Sequence, residues 1–152
     1  MMRRTLQIPP TSSPGFIAEP TEIFTLLRPE AQALSWVVWG DLWLTARVDS
    51  ALNVLALEDQ VSEAPQGVAF VWPDLWSLVQ DLTQIIDGTF IGTANADLTP
   101  PVSSADLAEI HRTQDLVVTA DDSSFWWISA KDSVIERFVL AFPHGVERDG
   151  YG

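Results

Sequence analysis

The stretch "SWVVWGDLWLTARV", residues 35–48, places Trp36, Trp39 and Trp43 within eight positions. Two apolar runs, residues 35–39 and 42–48, are separated by Gly40-Asp41 alone. A two-residue loop containing Gly between runs rich in Val, Trp and Thr predicts a β-hairpin, with Gly40 supplying the positive φ. In that hairpin Trp39 faces Leu42, Val38 faces Trp43 and Trp36 faces Thr45. One face then carries Val37, Trp39, Leu42, Leu44 and Ala46. The other carries Trp36, Val38, Trp43, Thr45 and Arg47. The first face is core by composition, so Trp39 is expected inside. The second sets two large rings beside a cation, and it is either covered as a second core or open to a partner. The three Trp also recur at i, i+3, i+7, the period of a helix. Residues 29–48 therefore keep two readings, and the hairpin leads because Gly40-Asp41 would interrupt a helix.

Outward from this stretch the pattern alternates between strand and helix. Residues 1–20 hold Pro9, Pro10, Pro14 and Pro20 and read as an extended or flexible lead-in, leaving 21–152 as one domain. Thr21 can cap "EIFTLLR", and Pro29 can open a second short helical turn. "ALNVLAL" (51–57) is a third meander strand or a helical piece, and "VAFVW" (68–72) is a short buried strand. "PDLWSLVQDLTQIID" (73–87) reads as one helix with an apolar stripe of Leu75, Leu78, Val79, Leu82, Ile85 and Ile86. Asp81 lies on its polar face and Trp76 on its margin. "TFIGTA" follows as a strand. A short helix capped by Ser103 or Ser104 precedes the strands "DLVVTA" and "FWWISA". Ser133 and Glu136 form a capping box for the last helix, whose stripe is Ile135, Phe138, Val139 and Phe142. The predicted fold class is α+β, a single domain with a mostly antiparallel sheet and helices packed on it.

The composition narrows the function. At 152 residues and 47% apolar the chain can build a full core. Twenty-one acids against eight bases give a net charge of −13, and no Lys or Arg stands between Arg47 and Arg112. Such a field repels nucleic-acid phosphates and anionic membranes and attracts basic partners. With no Cys there is no disulfide or thiolate chemistry, which fits a reducing, cytoplasmic setting. "MMRRTLQIPP" has no apolar signal region, and no run approaches a membrane span.

Catalytic motifs are missing. There is no G-x-S-x-G, H-E-x-x-H, P-loop or G-x-G-x-x-G pattern. "GTFIG" is too sparse to cradle a phosphate, and "ADDSS" lacks the alternating acids of a calcium loop. His111 sits at the edge of a helical stripe, near Glu109 and Asp115, and reads as a packed residue rather than a base. His144 follows a helix end. Asp121 and Asp122 are adjacent at a hairpin tip, where neighbouring acids usually diverge into water. No metal or cofactor is expected. In "FWWIS", Trp126 and Trp127 point to opposite sides of the sheet, so a one-sided helical layer would leave one ring open.

The "DSSFWWIS" strand leading into a C-terminal amphipathic helix, in a small acidic chain without Cys, resembles the immunity proteins of bacterial toxin systems. The resemblance covers the last third of the chain. It implies a non-enzymatic inhibitor of a basic toxin or nuclease, whose carboxylates steer the encounter while aromatic anchors slow dissociation. The candidate partner-binding residues are Trp36, Trp43, Arg47, Trp76, Asp81, Asp121, Asp122 and Trp127. The alternatives are a carbohydrate or small-ligand domain using Trp36, Trp43 or Trp127, and a phage or secretion-system assembly subunit. A homodimer that buries the Trp face also fits.

Overall fold

The computed structural model describes residues 3–10, 18–94, 106–122 and 125–152. Along the chain run β1 (Arg3–Ile8), α1 (Pro20–Ala31), β2 (Ser35–Ala46), α2 (Val54–Ser62), β3 (Val68–Phe70) and α3 (Trp72–Gln80). They are followed by β4 (Leu82–Thr93), α4 (Leu107–Thr113), β5 (Leu116–Asp121), β6 (Phe125–Lys131), α5 (Asp132–Ala141) and β7 (Val146–Arg148). The strands form one seven-stranded sheet in the order β3-β2-β4-β5-β6-β1-β7, and every neighbouring pair is antiparallel. This is the α+β architecture expected from the sequence, with helices packed on an antiparallel sheet.

The opening stretch is not a hairpin. Residues 35–46 continue as a single strand whose partners are β3 and β4. Gly40 does take a positive φ of 88°, but inside an irregularity where the pairing steps from Trp39–Thr89 to Trp43–Asp87. A bulge and a tight turn both recruit Gly for the same backbone freedom. The consequence for the rings is a reversal. In a hairpin Trp39 shares a face with Leu42, whereas in a continuous strand alternation puts them on opposite faces. Trp36 is therefore the core residue, 1% exposed, together with Val38, Leu42 and Leu44. Trp39 is half-buried and Trp43 is 56% exposed.

Three further expectations are corrected. The apolar stripe read as a helix over 73–87 is divided. α3 ends at Gln80 with Asp81 as its C-cap, and Leu82 and Ile85 belong to β4, which pairs with β2 and β5. The supposed lead-in contains β1, held between β6 and β7, with Leu6 and Ile8 buried at 1% and 2%. The caps also differ. Glu19 and Glu22 form the capping box of α1, and Pro29 lies within that helix rather than opening another. Asp106 caps α4 by accepting from the Glu109 amide, while Ser103 and Ser104 lie outside the described residues. No side-chain cap from Ser133 is made, because Lys131 is the N-cap of α5. Residues 54–62 are helix, which resolves "ALNVLAL".

The two faces of the sheet differ in chemistry. One carries Leu6, Trp36, Val38, Phe90, Val118, Trp126 and Ile128, and meets Ile23, Phe24 and Leu27 of α1, Leu75 of α3 and Ile135 and Phe138 of α5 in one continuous core. Phe24 lies at its aromatic centre, edge-on to Phe90 with centroids 5.2 Å apart and within 6.5 Å of Trp36 and Trp72. Such pairs add about 0.5–1.5 kcal/mol beyond area burial. The Trp36 indole donates to Ala31 O at 3.1 Å and that of Trp126 to Ala18 O at 3.0 Å, so both rings are buried with their polar atom satisfied. The other face carries the buried polar side chains of Thr5, Gln7, Thr89, Thr93, Thr119 and Ser129, together with Trp127 and a second, smaller apolar cluster of Ile91, Ile110 and Val117. The short α4 packs against β5 and β6 there, and Tyr151 lies against Trp127.

Candidate functional site

The polar face is organised by His111. Its Nδ1 is 2.6 Å from Ser129 Oγ and its Nε2 is 2.8 Å from Thr119 Oγ1. Ser129 Oγ is in turn 2.8 Å from Thr5 Oγ1, and Thr119 Oγ1 is 3.1 Å from Thr89 Oγ1. One chain of hydrogen bonds thus links β1, β6, α4, β5 and β4. Burial, and secondarily the Arg3 guanidinium, push the His111 pKa down to about 3. The ring is therefore neutral, giving one donor and one acceptor, which is what two hydroxyl neighbours require. Tyr151 stacks on it with centroids 4.8 Å apart and 15° between planes. At 1% exposure, His111 is a keystone rather than a base that a substrate can reach.

Tyr151 separates two concavities on this face. On one side is a cavity of about 540 Å³ lined by Trp39, Asp41, Asp87, Thr119, Asp121 and Tyr151, among others. Its acids converge because of register. Asp87 and Asp121 each stand one residue beyond the Gly88–Ala120 pair of β4 and β5. Trp43 is the cross-strand partner of Asp87, and directly paired residues share a face. The Asp122 amide donates to Asp87 Oδ1 at 2.8 Å, and Asp122 itself holds a positive φ of 51°. The result is an exposed indole at the edge of a carboxylate-rich concavity whose lining contains no Lys or Arg. Burial first, then the charges of Asp121 and Asp87, raise the Tyr151 pKa, so its hydroxyl stays protonated at neutral pH.

The residues anticipated from the sequence fall into three groups. Trp43, Asp121 and Asp122 come together at this acidic end. Trp76, Arg47 and Asp81 lie elsewhere. Trp76 is half-buried, stacked on Trp72 at 5.7 Å with Arg28 5.6 Å above its ring. The Arg47 Nε donates to Gln80 O and its backbone amide to Asp81 O, both at 2.8 Å, which ties the end of β2 to the end of α3. Trp36 and Trp127, 1% and 7% exposed, are removed from any binding surface, Trp36 by the three-helix layer and Trp127 by Tyr151. Their burial also removes two of the three rings that a carbohydrate site would have used. Asp41, Asp87 and Tyr151 were not singled out from the sequence, and Trp39 was expected in the core rather than at a site. The signal was Gly40, because a bulge turns the residues after it, and "GD" carried that signal under another interpretation.

Among the described residues no group of three or more His, Asp or Glu is arranged to hold a metal ion, and no helix is long and apolar enough to cross a membrane. Comparison with models of protein families, with curated proteins and with solved structures finds no match.

Proposed function

We propose that this chain is a non-enzymatic protein-binding module, an immunity-type inhibitor that docks a basic partner, such as a toxin or nuclease, onto the acidic end of its polar face. The observation that carries the reading is the exposed Trp43 ring beside Asp87, with Asp41, Asp121 and Asp122 around the adjoining concavity. A large ring buried only by a partner is the usual anchor of an interface. Carboxylates around it accelerate encounter with a cationic surface and discriminate against anionic ones. The net charge of −13 acts in the same direction. The sealed, neutral His111 supports a function without catalysis.

The test uses the tagged chain and a variant carrying Trp43→Ala, Asp87→Asn and Asp121→Asn. Both are passed over extract of the cells that make the protein, and a retained basic protein is then purified for stopped-flow binding. The expected result is one basic partner whose association slows at least tenfold between low and high salt, as exposed charge interactions are screened. The variant should lose that partner while keeping its unfolding midpoint. A partner bound equally by the variant, or at a rate independent of salt, overturns the proposal.

A further inference from the structure

On the other side of Tyr151 the charge reverses. A cavity of about 640 Å³ is lined by Arg3, Arg4, Arg112 and Arg148, together with Glu147, Asp149, His111 and Tyr151. These are four of the eight cationic side chains in a chain of net charge −13. Topology assembles them. The order β6-β1-β7 sets Arg148 opposite Thr5, and the Arg3 Nε donates to His111 O at 2.8 Å, bringing in α4 and its Arg112.

Two of the four are already neutralised. Arg4 is paired with Glu136 and Glu147, and Arg112 with Glu109. The other two have no carboxylate within ion-pair distance among the described residues. Arg3 spends Nε and Nη1 on the carbonyls of His111 and Asp115, and its buried Nη2 has no hydrogen-bond partner among the described residues. Arg148 donates its Nε to Gln7 Oε1 at 2.9 Å, an interaction with a neutral amide. A guanidinium with unused N–H groups in a concave site matches the oxygens of a phosphate or carboxylate.

We infer that the cavity bounded by Arg3, Arg4, Arg112, Arg148 and Tyr151 is a binding site for a small organic anion bearing a phosphate or more than one carboxylate. Its volume lies in the range of small-molecule sites, ~300–1,000 Å³. The lining sets four guanidiniums against the carboxylates of Glu147 and Asp149, so an anion entering it meets an excess of positive charge. This site is separate from the acidic end and stands whether or not that end docks a protein.

Pyrophosphate and citrate serve as probes, each compared with sodium chloride at matched ionic strength. Both are expected to raise the unfolding temperature saturably, and to move the Arg3 and Arg148 side-chain N–H and Tyr151 ring resonances in NMR spectra. Arg148→Gln, at an exposed residue, should weaken the apparent Kd about tenfold, the scale of one charged hydrogen bond. Arg47→Gln, outside the cavity, should leave the Kd unchanged. Stabilisation that grows linearly with probe and equals that of Arg148→Gln would show mere exclusion of the salt from the surface, and would overturn the site. So would resonance changes confined to other regions, or no response at all. If Arg148→Gln fails to fold, the NMR map of the unaltered chain decides alone.

Discussion

His111 makes the stability of this fold depend on pH in a way that one substitution isolates. In the unfolded chain its imidazole titrates near its ordinary value of about 6.5. In the folded protein, burial and the neighbouring Arg3 hold it at about 3. Between those values the unfolded state binds a proton that the folded state refuses, so stability falls as the pH is lowered. At ~1.36 kcal/mol per pH unit, bringing the protein from about pH 7 to about pH 5 should cost about 2 kcal/mol through this group alone. The window lies above the ordinary range of the carboxylates, which keeps their contribution small. His111→Gln removes the titration while leaving a side chain that can donate and accept. Urea unfolding of both proteins at about pH 7, 6 and 5 measures the difference. The unaltered chain should start more stable and approach the variant by about 2 kcal/mol at the acid end. Parallel pH dependences would mean that His111 is hydrated or charged in the native state, and the hydrogen-bond chain across the five elements would have to be abandoned.

Further outcomes follow from other parts of the fold. Deleting residues 1–8 should abolish cooperative unfolding in circular dichroism, because β1 contributes two buried side chains and is the link between β6 and β7. Phe138→Ala should cost about 3–5 kcal/mol and Leu78→Ala about 2–5 kcal/mol in denaturant titration, since both side chains lie in the core under the helices. Gly67→Ala should lower stability by more than about 1 kcal/mol in the same assay. Gly67 has φ of 79°, and an added Cβ would stand 2.5 Å from Val37 Cγ1 and 2.7 Å from Val38 O. Trp43→Ala alone, at an exposed ring, should change stability by less than about 0.5 kcal/mol.

What was legible in the sequence depended on how local the deciding interaction is. "LVVTA" and "FWWISA" announced β5 and β6 because β-branched and aromatic residues run unbroken between turn residues, and the pair is a hairpin closed by its own short loop. The stripe of α5 announced itself by period alone, and Ile135 and Phe138 are fully buried. The misreadings share one physical origin. Leu82 and Ile85 continue the helical spacing of Leu78 and Val79, yet their backbone pairs with β2, whose closest residue in that ladder is more than thirty positions away in sequence. "TLQI" in β1 has strand alternation, but only four residues of it, beside two prolines, and its partners lie at the other end of the chain. Where long-range pairing supplies the hydrogen bonds, local propensity is outvoted.

The same distinction separates the two candidate sites. The acidic end was partly visible, because Asp121 and Asp122 are sequence neighbours and Trp43 lies near Asp41. The arginine cavity was invisible, since Arg3 and Arg148 meet only through β1 and β7, a contact that spans nearly the whole chain. Its positive charge is anomalous only against the −13 background, and composition averages that anomaly away. The two cavities adjoin one residue, Tyr151, whose ring covers His111 and leans on Trp127. The buried indole of Trp127 has no hydrogen-bond partner among the described residues, an unmet donor that would normally carry a cost of about 1–3 kcal/mol. The ring of Tyr151, in the segment after β7, lies against it at a centroid distance of 4.8 Å. β7, which leads into that segment, has all three of its residues exposed and so little apolar burial to hold it. It is held by the backbone pairing of β7 with β1, the Arg4–Glu147 ion pair, the Arg148–Gln7 hydrogen bond and the stacking of Tyr151, so part of the order of this face rests on side chains that either site would engage.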